Sequence, residues 1–138
     1  MIVRAAAIGG AAAMACLFAG AAPASADDRV DCAHAINQND MNTCAEDAYN
    51  ASDVKLNALY NTLTGKLDGK DIAQIKTAQR AWIAYRDAEC TYTVRNNEGG
   101  SIYPLVWFGC LKEQTEMRTK QLREHLDCVD GKDSCTEE

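Results

Sequence analysis

The chain has 138 residues and a formal net charge of −6; 47% of it is hydrophobic and 25% charged, with seven cysteines and two prolines. That acidic balance argues against nucleic acid and against anionic lipid surfaces, both of which reward positive charge, and it suits a basic protein partner. With no internal repeat and no linker rich in Pro, Gly or Ser, the sequence reads as one domain behind a leader.

Residues 1–4 carry one positive charge, residues 5–22 are small and apolar, and Ala24-Ser25-Ala26 fits a small-residue cleavage site. Residues 1–26 are therefore expected to be a signal peptide, cut after Ala26. That leaves residues 27–138 as a periplasmic or secreted domain with a short C-terminal tail. A lipoprotein cut at Cys16 is disfavoured, because the apolar run continues past it to Ala22, and Cys16 is lost with the leader. Losing Arg4 leaves 13 basic against 20 acidic side chains, a net of −7. No other apolar run is long enough to span a bilayer. The six remaining cysteines, an even number in a small exported domain, imply disulfides formed in an oxidising compartment.

Met41, Ala45, Ala48, Tyr49, Ser52, Leu56, Leu59, Tyr60, Leu63 and Leu67 recur at helical spacing and predict a first helix over about 39–67. Gly65 and Asp68-Gly69-Lys70 supply the stop and turn. Asp71 is the expected N-cap of a second helix, which runs to about Arg95. On it Ile72, Ile75, Gln79, Trp82, Ile83, Arg86 and Cys90 fall on one stripe at about 100° per residue. An amide and a guanidinium thus share the inward face with a tryptophan. Left unpaired, such groups cost roughly 1–3 kcal/mol each on burial, so the fold has to supply partners. Asp53, at the edge of the first helix's stripe, and Glu89, at the edge of the second's, could each accept an arginine fork. With Asn57 and Arg118 they read as a structural polar network rather than an active site. After Asn96-Asn97-Glu98-Gly99-Gly100-Ser101, a third helical pattern (Trp107, Phe108, Leu111, Thr115, Arg118, Leu122, Leu126) follows Pro104 and fades near Asp127.

Short loops make consecutive helices antiparallel neighbours. The expected fold is all-α, an antiparallel three-helix bundle stapled by disulfides. One pole gathers Cys32, Cys44, Cys90 and Cys110; the other holds Cys128 and Cys135. The last two flank an Asp-Gly turn and most simply pair with each other. Cys32 with Cys44 and Cys90 with Cys110 each close a short local loop, while Cys44 with Cys90 is also geometrically reasonable.

This constellation resembles the LprI family of periplasmic and cell-surface proteins, named for a lysozyme inhibitor. The matching residues are Asp31-Cys32, Cys44, Asp53 with Leu56-Asn57 and Tyr60, Ala78-Gln79-Arg80-Ala81-Trp82, and Tyr85-Arg86-Asp87-Ala88-Glu89-Cys90. Glu98-Gly99-Gly100-Ser101, Cys110, and Thr115 with Arg118 and Leu122 complete the set, which spans about residues 31–126. The resemblance implies an all-helical, disulfide-stapled exported domain, and for some members inhibition of lysozyme. Members with only the first two cysteines would have to join them, which supports Cys32–Cys44 here. The tail with Cys128 and Cys135 has no counterpart in the family pattern, so its bridge is a local addition.

The loop over residues 96–104 is the expected contact surface, with Asn97, Glu98, Ser101 and Tyr103 as its partner-binding residues. A tethered loop loses less entropy on binding. As a plain connection, the same segment would use its glycines for positive φ and Ser101 as a cap for the third helix. Catalysis finds little support: glycoside hydrolysis needs two carboxylates about 5–9.5 Å apart with one pKa raised, and the acidic residues here are mostly scattered on outer helical faces. His34 and His125 fall near opposite poles and the cysteines are used in disulfides, so no metal or cofactor is expected. The leading expectation is a binding protein that inhibits a basic c-type lysozyme or related muramidase. The alternatives are an accessory cell-envelope protein and a cell-wall hydrolase.

Overall fold

The computed structural model describes residues 30–132. The expected leader, its cleavage after Ala26, and the Cys128–Cys135 bridge, whose second cysteine falls in residues 133–138, lie outside the described residues. Three long helices make up the domain: α1 (Gln38–Thr64), α2 (Gly69–Val94) and α3 (Tyr103–Val129), with one turn of 3-10 helix at Arg95–Asn97. The described residues contain no strand, so the all-α bundle expected from the sequence is the fold.

Each helix begins and ends for a local reason. At the start of α1 the Asn37 side chain accepts from the Asp40 backbone N–H at 2.9 Å, satisfying one of the donors that a helix start leaves free. Asn37→Ala is expected to cost about 1 kcal/mol, measurable by thermal melting; an unchanged midpoint would refute the capping role. The α1 pattern stops at Thr64, and Gly65 closes it by donating to Asn61 O. Leu67, expected as the last helical position, sits in the turn instead and still packs against the core. Asp71 does not cap α2. Its own N–H already bonds to Asp68 O, so it lies in the first helical turn, and Asp68 occupies the cap position without a side-chain bond. A carboxylate within that first turn is still favoured by the helix dipole. Ser101 likewise does not cap α3. Ile102 holds that position and makes no side-chain cap bond, while Pro104 sits in the first turn, where a missing N–H does no harm.

The chain runs up, down and up. Asn42 lies level with Ser101, Tyr49 with Phe108, and Lys66 with Asp130, so α1 and α3 are parallel and α2 opposes both. Leu56, Leu59 and Leu63 of α1 interlock with Leu122 and Leu126 of α3 to form the apolar core. The four- and three-residue spacing of these leucines sets that stripe. From α2 only Ile75 and Trp82, both half-buried, reach this cluster. The residues α2 does bury are Gln79, Arg86, Cys90 and Val94, so its inner face sets an amide and a guanidinium beside two apolar side chains. Ile83, expected on that stripe, is 41% exposed. A helix with so narrow a buried strip leaves its flank in solvent.

Two disulfides staple one pole. Cys32 joins Cys44 and Cys90 joins Cys110, with Cα–Cα distances of 5.5 and 5.7 Å, within the normal range. The first ties the segment preceding α1 back onto its second turn; the second fastens the end of α2 to α3. The alternative Cys44–Cys90 pairing is thereby excluded.

Candidate functional site

Two polar features stand out: the buried strip beneath α2 and the loop at the disulfide pole. In the strip, Arg118 of α3 donates from Nε to Gln79 Oε1 of α2 at 3.0 Å and from Nη1 to Gln121 Oε1 at 3.0 Å. Its Nη2, like the hydroxyl of Thr115 one turn earlier, is buried without a hydrogen-bond partner among the described residues. Both acceptors are neutral amides. Burial therefore holds the guanidinium below its ordinary pKa, since desolvation disfavours the charged form.

Arg86 has a different environment. Its Nε and Nη2 converge on Asp87 Oδ1 at 2.8 and 2.7 Å, and its Nη1 lies 4.0 Å from Asp53 Oδ1. Asn57 Nδ2 donates to the other Asp53 oxygen at 2.7 Å. The guanidinium carbon sits 5.2 Å from the Trp82 ring centre and 5.8 Å from that of Tyr49, while Arg118 approaches the same Trp82 ring at 6.0 Å. One indole thus serves two cations, an arrangement worth about 0.5–2 kcal/mol per contact according to its desolvation. The Tyr49 hydroxyl has a raised pKa, first because it is buried and against the pull of the neighbouring Arg86.

The structure therefore brings Asp53, Asn57 and Arg86 together, and separately Gln79 and Arg118, with Trp82 between the two groups. Glu89 stands apart, its carboxylate 3.5 Å from Thr93 Oγ1 on its own helix. Sequence reasoning missed Asp87 as the principal acceptor for Arg86. Adjacent helical residues diverge by 100° and ordinarily do not meet, but a long guanidinium side chain can turn back along its helix.

The loop is held from three sides. Gly99 adopts φ 75°, a left-handed conformation that favours glycine, and Gly100 N–H bonds to Asn97 O at 3.0 Å. Asn42 of α1 donates to Ser101 O at 3.0 Å, a tie the sequence pattern does not reveal. Below it the Cys90–Cys110 bridge fixes both flanking helices. Glu98 and Ser101 are exposed; Asn97 and Tyr103 are half-buried, with the Tyr103 ring stacked on Trp107 at 6.1 Å. At the far pole an apolar groove of about 320 Å³ is lined by Leu63, Leu67, Ile75, His125 and Val129 among others. Among the described residues no three His, Cys, Asp or Glu side chains converge as a metal site, and no helix is long and apolar enough to cross a membrane. Two formed disulfides belong to an oxidising compartment.

Comparison with known proteins matches residues 31–122 to the family model described as lysozyme inhibitor LprI. The chain is 34% identical over 135 residues to an uncharacterized protein of Rhizobium meliloti (strain 1021), covering 88% of this chain and 97% of that one. It is 28% identical over 107 residues to the uncharacterized protein YecT of Escherichia coli (strain K12), covering 67% of this chain and 66% of that one. No solved structure matches the chain.

Proposed function

Because the chain belongs to the lysozyme inhibitor LprI family, we propose that it acts outside the cytoplasm by binding a basic, lysozyme-like muramidase and blocking its cleft. The observation that carries this reading is the family match over residues 31–122. The site supports it in two ways. A loop pinned by a disulfide, by Asn42 and by its own turn loses little entropy on docking. Exposed Glu98 and Ser101 offer a carboxylate and a hydroxyl to a cationic surface, with Asn97 and Tyr103 at their base. Binding rather than catalysis is the proposed activity, with no cofactor, and an acidic chain meeting a basic enzyme associates faster at low salt.

The test is lysis of peptidoglycan by c-type lysozyme in the presence of the purified, oxidised protein at two ionic strengths. Slower lysis is expected at low salt, with inhibition weakening as salt screens the attraction. If lysis is unaffected and no complex forms at low salt, the reading is overturned.

A further inference from the structure

Among the described residues, charge is unevenly distributed along this bundle. The half nearest the disulfides, residues 30–51 and 82–115, carries eight acidic and three basic side chains, a net of −5. The other half, residues 52–81 and 116–132, carries seven acidic and nine basic ones, a net of +2. The three cations of the acidic half are also engaged: Arg86 is held by Asp87, Lys112 bridges Glu116 at 2.9 Å, and Arg95 folds back to donate to Tyr92 O. An approaching positive surface therefore meets an end whose field is set by carboxylates.

That end also carries exposed aromatic surface. Tyr85 is 56% and Tyr92 63% exposed. They are seven residues apart, so they stand two helical turns, or about 10.5 Å, along the same face of α2. With Ala88 between them they form an apolar edge turned away from the buried strip of Gln79, Arg86 and Cys90. The edge continues into the loop: the Arg95 guanidinium stacks 4.1 Å from the Tyr92 ring centre, and Glu98 N–H bonds to Arg95 O. Arg95 thus braces Tyr92 in one orientation, as suits a preorganised anchor.

Resting on the inhibitor reading, we infer that the muramidase-binding surface is larger than the loop: Tyr85 and Tyr92 on the outer face of α2 are its aromatic anchors. The occupant is a cationic protein with an apolar edge, docked against the acidic end of the bundle. Tyrosine is enriched among the few interface residues that dominate affinity, and the surrounding carboxylates govern encounter and salt dependence.

The experiment measures the affinity of c-type lysozyme for the oxidised wild type and for Tyr85→Ala, Tyr92→Ala and their combination. Val54→Ala is the control, an apolar residue 68% exposed in the basic half. Each tyrosine variant is expected to bind about tenfold more weakly with an unchanged melting temperature, and Val54→Ala to bind like wild type. Glu98→Lys should slow association and flatten its salt dependence. Wild-type binding that survives both tyrosine replacements, or that Val54→Ala weakens equally, overturns this surface and leaves the inhibitor reading intact. Absence of wild-type binding overturns both.

Discussion

Replacing Cys90 and Cys110 together by alanine is expected to cost about 3 kcal/mol of stability, and the loss should be felt first in α2. The magnitude follows from the sequence separation of 20, since a crosslink of that span removes roughly this much loop-closure freedom from the unfolded chain. The location follows from packing. The leucine core belongs to α1 and α3, and α2 contributes to it only two half-buried side chains. Cys90 is fully buried, and its bridge, with buried Val94 one turn further on, holds that end of α2. In hydrogen exchange, amides near the C-terminus of α2 and in the following loop should lose protection while the middles of α1 and α3 keep theirs. Uniform loss across the three helices would contradict this division. The Cys32–Cys44 bridge spans 12 positions and fastens the segment before α1, so its removal should fray that end and leave the bundle in place.

Arg86→Ala is the second large effect, expected to cost about 3 kcal/mol, the lower end for losing a buried guanidinium's charge-assisted hydrogen bonds together with its contacts to the Trp82 and Tyr49 rings. For a domain of this size the melting temperature falls by roughly 15 °C. The lower end applies because Asp53 and Asp87 remain partly open to solvent, and water can take over part of what the guanidinium supplied. Binding by the folded fraction should be preserved; unchanged stability with abolished binding would make Arg86 a contact residue instead. Arg118 should behave in the opposite way. It is buried against neutral amides with one nitrogen unsatisfied, and such charges are often dispensable when apolar groups of similar volume replace the whole arrangement. The pair Gln79→Leu and Arg118→Met should therefore be neutral or stabilising, whereas Arg118→Met alone leaves the Gln79 oxygen without its donor.

Much of this architecture is legible in the sequence because the leucine spacing in the first and third helices is strong and the turns carry Gly and Asp. Loop length favours pairing Cys32 with Cys44 and Cys90 with Cys110, but it leaves Cys44 with Cys90 open until the structure decides. Cap positions are harder to read. Asp68 and Asp71 are chemically equivalent candidates, and the backbone bond that decides between them depends on where the turn after Gly65 ends. The polar strip shows the same limit. Helical phase points Arg86 inward, but it does not say that its fork turns back to Asp87 rather than on to Glu89, because rotamers decide that. Phase also groups Ile83 with the buried stripe, while the narrow contact of α2 with its neighbours leaves that residue at the edge. The tie from Asn42 to Ser101 links positions 59 residues apart, and no local pattern announces it.

The division of the core between the first and last helices bears on how the chain folds. Leu56 and Leu59 find Leu122 and Leu126 only after a long intervening stretch, which includes all of α2, has been closed into a loop. Closing it loses chain entropy before any leucine contact compensates. To the folding nucleus α2 is therefore part of a connection, and leucine truncations in α1 and α3 should slow folding, whereas changes on α2 should mainly speed unfolding. Oxidation of Cys90 with Cys110 shortens that connection covalently, so the oxidised chain should reach its transition state faster than the reduced one.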